Sequence, residues 1–243
     1  MRIFGFPVQI RPGFALFMLL IIVINGVPMG PWLAGSVAAF TLIHELGHAI
    51  AARQTGATAQ ISLDFLAGYA SFAPTRPLKR WERAGISMAG PFVQIALGCI
   101  VLLVLGVNPI DHDQFAADYW SFAIWWAGPA IGLFNLIPVL PLDGGTIVAE
   151  IIDFFTPGRG REIMVKLSPP LTAAGFIAMV MVDDLRPLAA FAAILLVLQL
   201  QTLSANAANN PDRRAALIER QRQLAAEAED TAWTTGRPGM LHS

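Results

Sequence analysis

The sequence predicts an all-α polytopic membrane protein with about six transmembrane helices and a short membrane-associated β-hairpin. Of its 243 residues, 55% are hydrophobic and only 14% are charged, whereas about 25% of the residues in soluble proteins are charged. The apolar residues form runs that approach the ~20 residues needed to cross ~30 Å of hydrocarbon. One segment between two of these runs instead alternates apolar and polar residues, which is typical of a strand.

Six apolar runs mark the predicted spans. They cover residues 14–29, 31–52, 84–107, 120–137, 168–182 and 187–203. The pair Pro169-Pro170 is expected to begin the fifth helix, because proline costs no backbone hydrogen bond in the first turn. The first run follows Arg2 and Arg11 and could instead be a signal peptide. We favour an anchor, because a retained first span makes the charges of the loops consistent.

The distribution of basic residues predicts the orientation of these spans. Lys and Arg gather before the first span, in residues 53–83 and 159–166, and in the tail from residue 213 onward, whereas the loop 108–118 contains neither. By the positive-inside rule, both termini and the two basic loops face the cytoplasm. The formal net charge of −1 gives no overall attraction to nucleic acid. We therefore expect the lipid bilayer, and no nucleic acid, as a partner.

The same runs predict the domain organisation. We expect an intramembrane core at residues 1–204 and a cytosolic tail at 205–243. The tail is expected to be partly helical, because residues 210–230 are rich in charge and in helix formers. The tripeptide AGP occurs at 89–91 and again at 127–129, which is too short to indicate a repeat.

The strand-like segment covers residues 60–75 and follows the second span. The pattern predicts a hairpin with Gly68 as its turn. Ile61, Leu63 and Phe65 would share one apolar face of this hairpin, which would pack against the membrane core.

Two histidines and a glutamate lie inside the second apolar run, in HELGH at 44–48. An ionisable side chain at the middle of a membrane helix costs roughly 2.5–3.5 kcal/mol, so these groups need a shared compensation. A helix brings His44 and His48 to one face, with Glu45 on the adjacent flank. In such an H-E-x-x-H motif the histidines hold zinc and the glutamate is a general base. Gly47 would let another backbone approach. The alternative is a chance match whose histidines pair with the backbone or neighbouring helices.

A third metal ligand is expected in FNLIPVLPLDGG, residues 134–145, where Asp143 is the only carboxylate. Pro138 and Pro141 should break the preceding helix. The two glycines that follow Asp143 would let the backbone take conformations that other residues resist. Unwound backbone at membrane depth is tolerated only where it faces protein or a watery cavity. The segment is either a surface loop or the second half of one metal site, and its position on the same predicted side as HELGH favours the metal site.

These two segments resemble the site-2 protease family of intramembrane zinc metalloproteases, whose signature pairs HExxH with NxxPxxPLDGG. Here the segments read HELGH and NLIPVLPLDGG. The resemblance implies one Zn²⁺ per chain, held by His44, His48 and Asp143. It also implies that Glu45 is the general base and that Asn135 is a polar group that holds or polarises the scissile region of the substrate.

The resemblance also implies a compact prokaryotic member of the family. No insertion resembles a PDZ or CBS domain, so we expect a multi-pass protein of a prokaryotic cytoplasmic membrane. The family often carries a GPxxN element in the helix between the two motifs. Here that element reads GPFVQ, with Gln94 in the position of the asparagine.

The predicted function is hydrolysis of peptide bonds in transmembrane protein substrates near the cytoplasmic side, by zinc-activated water, in regulated intramembrane proteolysis. A substrate helix must unwind before cleavage, because its carbonyls are hidden in its own hydrogen bonds. The edge of the predicted hairpin could pair with the unwound chain, which makes Ser62, Asp64 and Gly68 candidate substrate-binding residues. Alternatively, the hairpin merely links two helices.

Two other functions are open at this point. A zinc transporter would be expected to place ligands on several spans, whereas the third, fifth and sixth spans have no polar group of this kind beyond Gln94 and Gln199. A metal-binding protein without proteolytic activity is disfavoured because Glu45 is intact. The sequence leaves the oligomeric state and the identity of the substrate open.

Overall fold

The computed structural model describes residues 1–64, 67–182 and 186–209. The chain divides into two compact units, Met1–Gly175 and Phe176–Ser243, each of which is described by itself. The predicted helix at 210–230 and the side chain of Phe65 lie outside the described residues. The assignment of 205–243 to a cytosolic tail stays a prediction.

The described residues form nine α-helices, one π-helix and four strands. The helices are α1 Pro12–Asn25, α2 Met29–Gln54, α3 Arg80–Val104, α4 His112–Phe115, α5 Tyr119–Trp125, the π-helix Trp126–Ala130, α6 Ile131–Phe134, α7 Asp143–Phe155, α8 Gly160–Met181 and α9 Arg186–Asn209. The strands are β1 Arg2–Ile3, β2 Phe6–Ile10, β3 Thr58–Asp64 and β4 Ala67–Ala73. The fold is therefore mostly helical with a small sheet.

Three of the described helices, α2, α3 and α8, are long and apolar enough to cross a membrane. Their lengths are 26, 25 and 22 residues. The helix α1 has only 14 residues. The apolar part of α9, Ala189–Ala205, is also shorter than a membrane span. These helices fit an integral membrane protein, but they do not confirm the six predicted spans.

The fourth predicted span is not one continuous α-helix. Residues 119–134 are divided among α5, the π-helix and α6, which contain 7, 5 and 4 residues. Pro129 lies within the π-helix, and proline supplies no N–H to the backbone ladder. An apolar composition gives no sign of this change in helix type.

The predicted start of the fifth helix at Pro169-Pro170 is wrong. The helix α8 begins at Gly160 and contains both prolines. Its first turns hold charged residues outside the apolar run, and Lys166 Nζ pairs with Glu162 Oε1 at 2.6 Å, one helical turn away. Helix formation therefore extends beyond the apolar run that predicted it.

The strand prediction is confirmed, but its turn and its free edge are not where the sequence suggested. The sheet has the order β1-β2-β3-β4, with β2 parallel to β3 and β3 antiparallel to β4. Gly68 lies within β4, opposite Leu63, so it is not the turn. Both sides of β3 are occupied, so Ser62 and Asp64 do not lie on a free edge. Ile61 and Leu63 are buried in a cluster with Phe6 and other apolar residues.

Glycines let three helical segments approach closely. A Cβ atom at Gly47 of α2 would lie 2.6 Å from the carbonyl oxygen of Ala89 in α3, so the expected role of Gly47 is confirmed. A Cβ atom at Gly98 of α3 would lie 2.5 Å from Pro129 Cδ and 3.0 Å from the Cα atom of Gly128. The helix α3 therefore packs between α2 and the π-helix at backbone distance.

Replacing Gly98 by alanine should destabilise the protein by about 1–3 kcal/mol, because the added methyl group overpacks the contact with Gly128 and Pro129. The measurement is the Tm of the purified protein in detergent. Gly85→Ala, in the same helix, is the matched control, because a Cβ atom there meets nothing within 4 Å. A lower Tm for the control and an unchanged Tm for Gly98→Ala would contradict the prediction.

Candidate metal centre

The helix α2 carries His44, Glu45 and His48 in its interior. The two histidines are four residues apart and so lie on one face of the helix. The exposed fractions of the three residues are 8%, 4% and 9%. These groups therefore face the protein interior, where a polar side chain needs a partner.

Asp143 is the first residue of α7. The preceding helix ends at Phe134, so the predicted break before Asp143 is confirmed. The N–H of Gly144 donates to the carbonyl of Asn135 at 2.8 Å, and the N–H of Leu140 donates to Ser168 Oγ of α8 at 2.9 Å. Backbone and side-chain hydrogen bonds thus fix the segment that leads to Asp143.

The two glycines after Asp143 do not have the role that the sequence suggested. Gly144 and Gly145 lie in the first turn of α7 as ordinary helical residues. A Cβ atom at Gly144 would collide with the backbone of Leu136 and Ile137, and one at Gly145 with the backbone of Val139 and Leu140. The glycines therefore allow the preceding segment to pack against the start of α7.

Three atoms that can each ligate a metal ion converge between α2 and α7. The Nε2 atoms of His44 and His48 are 2.9 Å apart. Asp143 Oδ2 lies 3.1 Å from His44 Nε2 and 3.4 Å from His48 Nε2. Ligands that surround a zinc ion tetrahedrally at about 2.0–2.1 Å are separated from one another by roughly 3.3 Å. The spacing of the three atoms therefore fits a small divalent cation.

Hydrogen bonds at the other ring nitrogens fix the tautomers of both histidines. The Nδ1 atom of His48 lies 2.6 Å from the carbonyl oxygen of Ile86, and Nδ1 of His44 lies 2.7 Å from Gln94 Oε1. Both partners are acceptors, so each Nδ1 carries the proton and donates. In the neutral rings both Nε2 atoms then present lone pairs to each other and to Asp143. Such a set of acceptors can hold a metal ion.

The space for the His48 ring depends on a glycine of α3. A Cβ atom at Gly90 would collide with the ring atoms of His48. The AGP tripeptide at 89–91 thus forms part of the site. The sequence analysis noted Gly90 and Gln94 only as part of the GPFVQ element and gave them no contact, and it did not identify the carbonyl of Ile86.

Ion pairs connect α3 to the helix that carries Asp143. Arg83 donates through Nε and Nη2 to the two carboxylate oxygens of Glu150, both at 2.6 Å. Arg80 Nε lies 3.1 Å from Asp153 Oδ2. The N–H of Gly160 is the main cause of a lowered pKa of Asp153, which also accepts from Gly158 and faces Arg80. Glu150 and Asp153 of α7 are thus both paired with arginines of α3.

The other predicted site residues, Asn135, Ser62, Asp64 and Gly68, are not among the three converging side chains. Asn135 directly follows α6, and its backbone carbonyl accepts the hydrogen bond from Gly144. Among the described residues its side chain makes no hydrogen bond, so its role toward a substrate stays a prediction. Ser62 Oγ accepts from Arg11 Nε at 3.2 Å, and Asp64 Oδ2 lies 3.6 Å from the same atom. A substrate-binding role for Ser62, Asp64 or Gly68 also stays a prediction.

The curated relatives are named as zinc metalloproteases or candidates for that activity. The chain is 26% identical over 180 residues to a candidate zinc metalloprotease of Synechocystis sp.. It is 29% identical over 154 residues to a zinc metalloprotease of Methanocaldococcus jannaschii and 32% identical over 129 residues to the candidate Rip3 of Mycobacterium tuberculosis. These regions cover 67%, 62% and 48% of this chain but 46%, 44% and 31% of the relatives. The chain therefore spans less than half the length of the curated relatives it matches.

Among solved structures, the chain is similar to the site-2 protease from Methanocaldococcus jannaschii. The TM-score is 0.55 at 24% sequence identity, and the match covers 82% of this chain and 88% of that chain. At this identity the likeness establishes the fold. No family model matches the chain.

Fold, sequence similarity and site geometry agree. The fold is that of a solved site-2 protease, and the sequence relatives bear the name of zinc metalloproteases. The HELGH and PLDGG segments, which carry the resemblance, meet at one group of metal-binding side chains. The chain is therefore similar to a site-2 protease in fold and to zinc metalloproteases in sequence.

Proposed function

We propose that this protein is an intramembrane zinc endopeptidase that hydrolyses transmembrane protein substrates near the cytoplasmic side of the bilayer. The observation that carries the proposal is the convergence of His44, His48 and Asp143 beside Glu45, within a helix of membrane-spanning length. Catalytic zinc sites use three protein ligands and keep a fourth position for water or substrate. One zinc ion per chain would complete the site.

Each residue of the site has a distinct proposed role. His44, His48 and Asp143 hold the zinc ion, which when bound polarises a peptide carbonyl and lowers the pKa of water. Glu45 accepts the proton of the attacking water and then protonates the leaving amine. Asn135, whose side chain is only partly buried, donates a hydrogen bond to the backbone of the substrate beside the scissile bond.

The sheet offers a way to hold an unwound substrate. Among the described residues, no strand pairs with the side of β4 that faces away from β3. An extended segment of substrate can add to that edge, so that its exposed N–H and C=O groups are paired. The receiving edge would be β4, which contains Gly68. The side chains of Ser62 and Asp64 in β3 both contact Arg11, and they would contribute to substrate binding by holding that arginine in place.

The backbone groups that face this edge can be identified. The carbonyl of Leu63 accepts from the N–H of Arg11, next to β2, so the backbone groups of Leu63 face β2. Successive residues of a strand point their backbone groups to opposite sides, so Gln60 and Ser62 face β4. Their partners in β4 therefore face β3, and Phe72, opposite Ala59, points its N–H to the open edge.

A zinc transporter fits the described residues less well. Transport across a bilayer needs ligands at several depths, whereas the part of the chain that the structure describes contains one group of three or more converging metal-binding side chains. The proposed localisation is a prokaryotic cytoplasmic membrane with both termini in the cytoplasm, and the proposed role is regulated intramembrane proteolysis.

Two substitutions should separate metal binding from hydrolysis. Glu45→Gln is expected to keep zinc and to lose at least about 100-fold in cleavage rate, because it removes the general base but no ligand. Asp143→Ala is expected to lower the zinc content, because it removes one of three ligands. The measurements are metal analysis of the purified protein and cleavage of a transmembrane model peptide. Near-normal cleavage by Glu45→Gln would refute the proposed mechanism.

A proline in β4 should test strand addition. Phe72→Pro is expected to lower cleavage at least tenfold while zinc content and Tm are retained, because the backbone N–H that it removes faces outward. Phe72→Ala is the matched control, since it loses the same side chain and keeps the N–H. Equal cleavage by the two variants would rule out pairing at this position.

The orientation can be measured with reporter fusions. A reporter after Asp113 is expected outside the cytoplasm, because its loop lacks basic residues, and a reporter after Lys79 is expected inside. A cytoplasmic signal from the Asp113 fusion would contradict the proposed topology.

A further inference from the structure

Gln94 connects the proposed metal site to the π-helix. Its side chain is 2% exposed. Its Oε1 atom accepts from His44 Nδ1 at 2.7 Å, and its Nε2 atom donates to the carbonyl of Ala127 at 2.7 Å. Because a carbonyl oxygen can only accept, the contact with Ala127 determines which end of the amide faces His44.

The π-helix makes the Ala127 carbonyl available. In a regular α-helix this carbonyl would accept the N–H of Ile131, four residues later. Here the N–H of Ile131 donates to the carbonyls of Trp126 and Gly128. The change of register therefore turns a backbone acceptor toward α3, where Gln94 uses it.

The position of Gln94 along α3 explains its reach. Gly90, Gln94 and Gly98 are spaced by four residues and lie on one face of the helix. Gly90 lies against the His48 ring, and Gly98 lies against Gly128 and Pro129. Gln94 is thus placed between α2 and the π-helix. An asparagine, which is one methylene shorter, would not reach both His44 and Ala127 from this position.

We propose that Gln94 is a positioning residue that holds the His44 ring as its Nδ1–H tautomer, with Nε2 directed at the metal. This inference rests on the proposed zinc site. Partners that orient a ligating histidine typically change metal affinity 10–100-fold when they are lost. The contact with Ala127 extends this dependence to the π-helix, because Gln94 connects the Ala127 carbonyl to the His44 ring.

The test compares Gln94→Leu with Gln94→Glu. Gln94→Leu removes both hydrogen bonds at similar volume, and we expect zinc affinity, measured by competition with a chelator, to fall 10–100-fold. Gln94→Glu keeps an oxygen that accepts from His44, and we expect its affinity to lie within about threefold of the unsubstituted protein. The visible absorption spectrum of the cobalt-substituted protein should change in Gln94→Leu and be retained in Gln94→Glu.

A matched control separates positioning from simple loss of a buried hydrogen bond. Ser121 is fully buried, and its hydroxyl donates to the carbonyl of Asp118 at 3.0 Å, without contact to a metal ligand. Ser121→Ala should leave zinc affinity and the cobalt spectrum unchanged. Equal zinc affinity in Gln94→Leu and the unsubstituted protein would overturn the inference and leave the zinc site standing. Failure of the unsubstituted protein to bind zinc would overturn the proposed function itself.

A measurement on the metal-free protein reports the tautomer of His44 without any change at Gln94. Nitrogen-15 NMR of labelled histidines distinguishes the two neutral tautomers. We expect the signal that disappears in His44→Asn to be that of an Nδ1–H ring. An Nε2–H ring at this position would overturn the inference.

Discussion

Two imidazole nitrogens that face each other at 2.9 Å set the condition that the rest of the site must meet. Both present lone pairs, because the protons of the rings are donated elsewhere, and Asp143 adds a carboxylate oxygen to the same space. Several buried hydrogen-bond acceptors close together are energetically unfavourable unless a cation lies among them. The hydrogen bonds at Nδ1 of both histidines and the close packing of Gly90 against His48 therefore keep these acceptor atoms close together.

The helix α3 supplies most of this support. It presents a backbone carbonyl to one histidine, a side-chain amide to the other, and glycines where its backbone meets α2 and the π-helix. Its ion pairs with Glu150 and Asp153 connect it to α7 as well. The helix α3 carries none of the three converging side chains, yet it fixes the relative positions of both helices that carry them.

The sequence predicted the parts of the site that depend on local spacing. His44 and His48 could be identified because a four-residue interval has one geometric meaning in a helix, and Asp143 because prolines isolate it after a break. Gln94 could not be assigned a partner, since its contact depends on a π-helix that hydropathy does not reveal. The roles of Gly144 and Gly145 were misjudged because close packing and unusual backbone both select glycine. The strand β2 was missed because its five residues pair with a segment about 50 positions later.

The parallel pairing of β2 with β3 has a consequence for the path of the chain through the bilayer. The strand β2 ends just before α1 begins, and β3 starts shortly after α2 ends. Since the two strands are hydrogen-bonded to each other, the start of α1 and the end of α2 lie on the same side of the membrane. The number of crossings between them must therefore be even. If α2 crosses, the 14-residue α1 and the turn that follows it must cross as well. At 1.5 Å per residue, α1 measures only about 21 Å, so the bilayer beside it must become thinner or the turn must complete the passage.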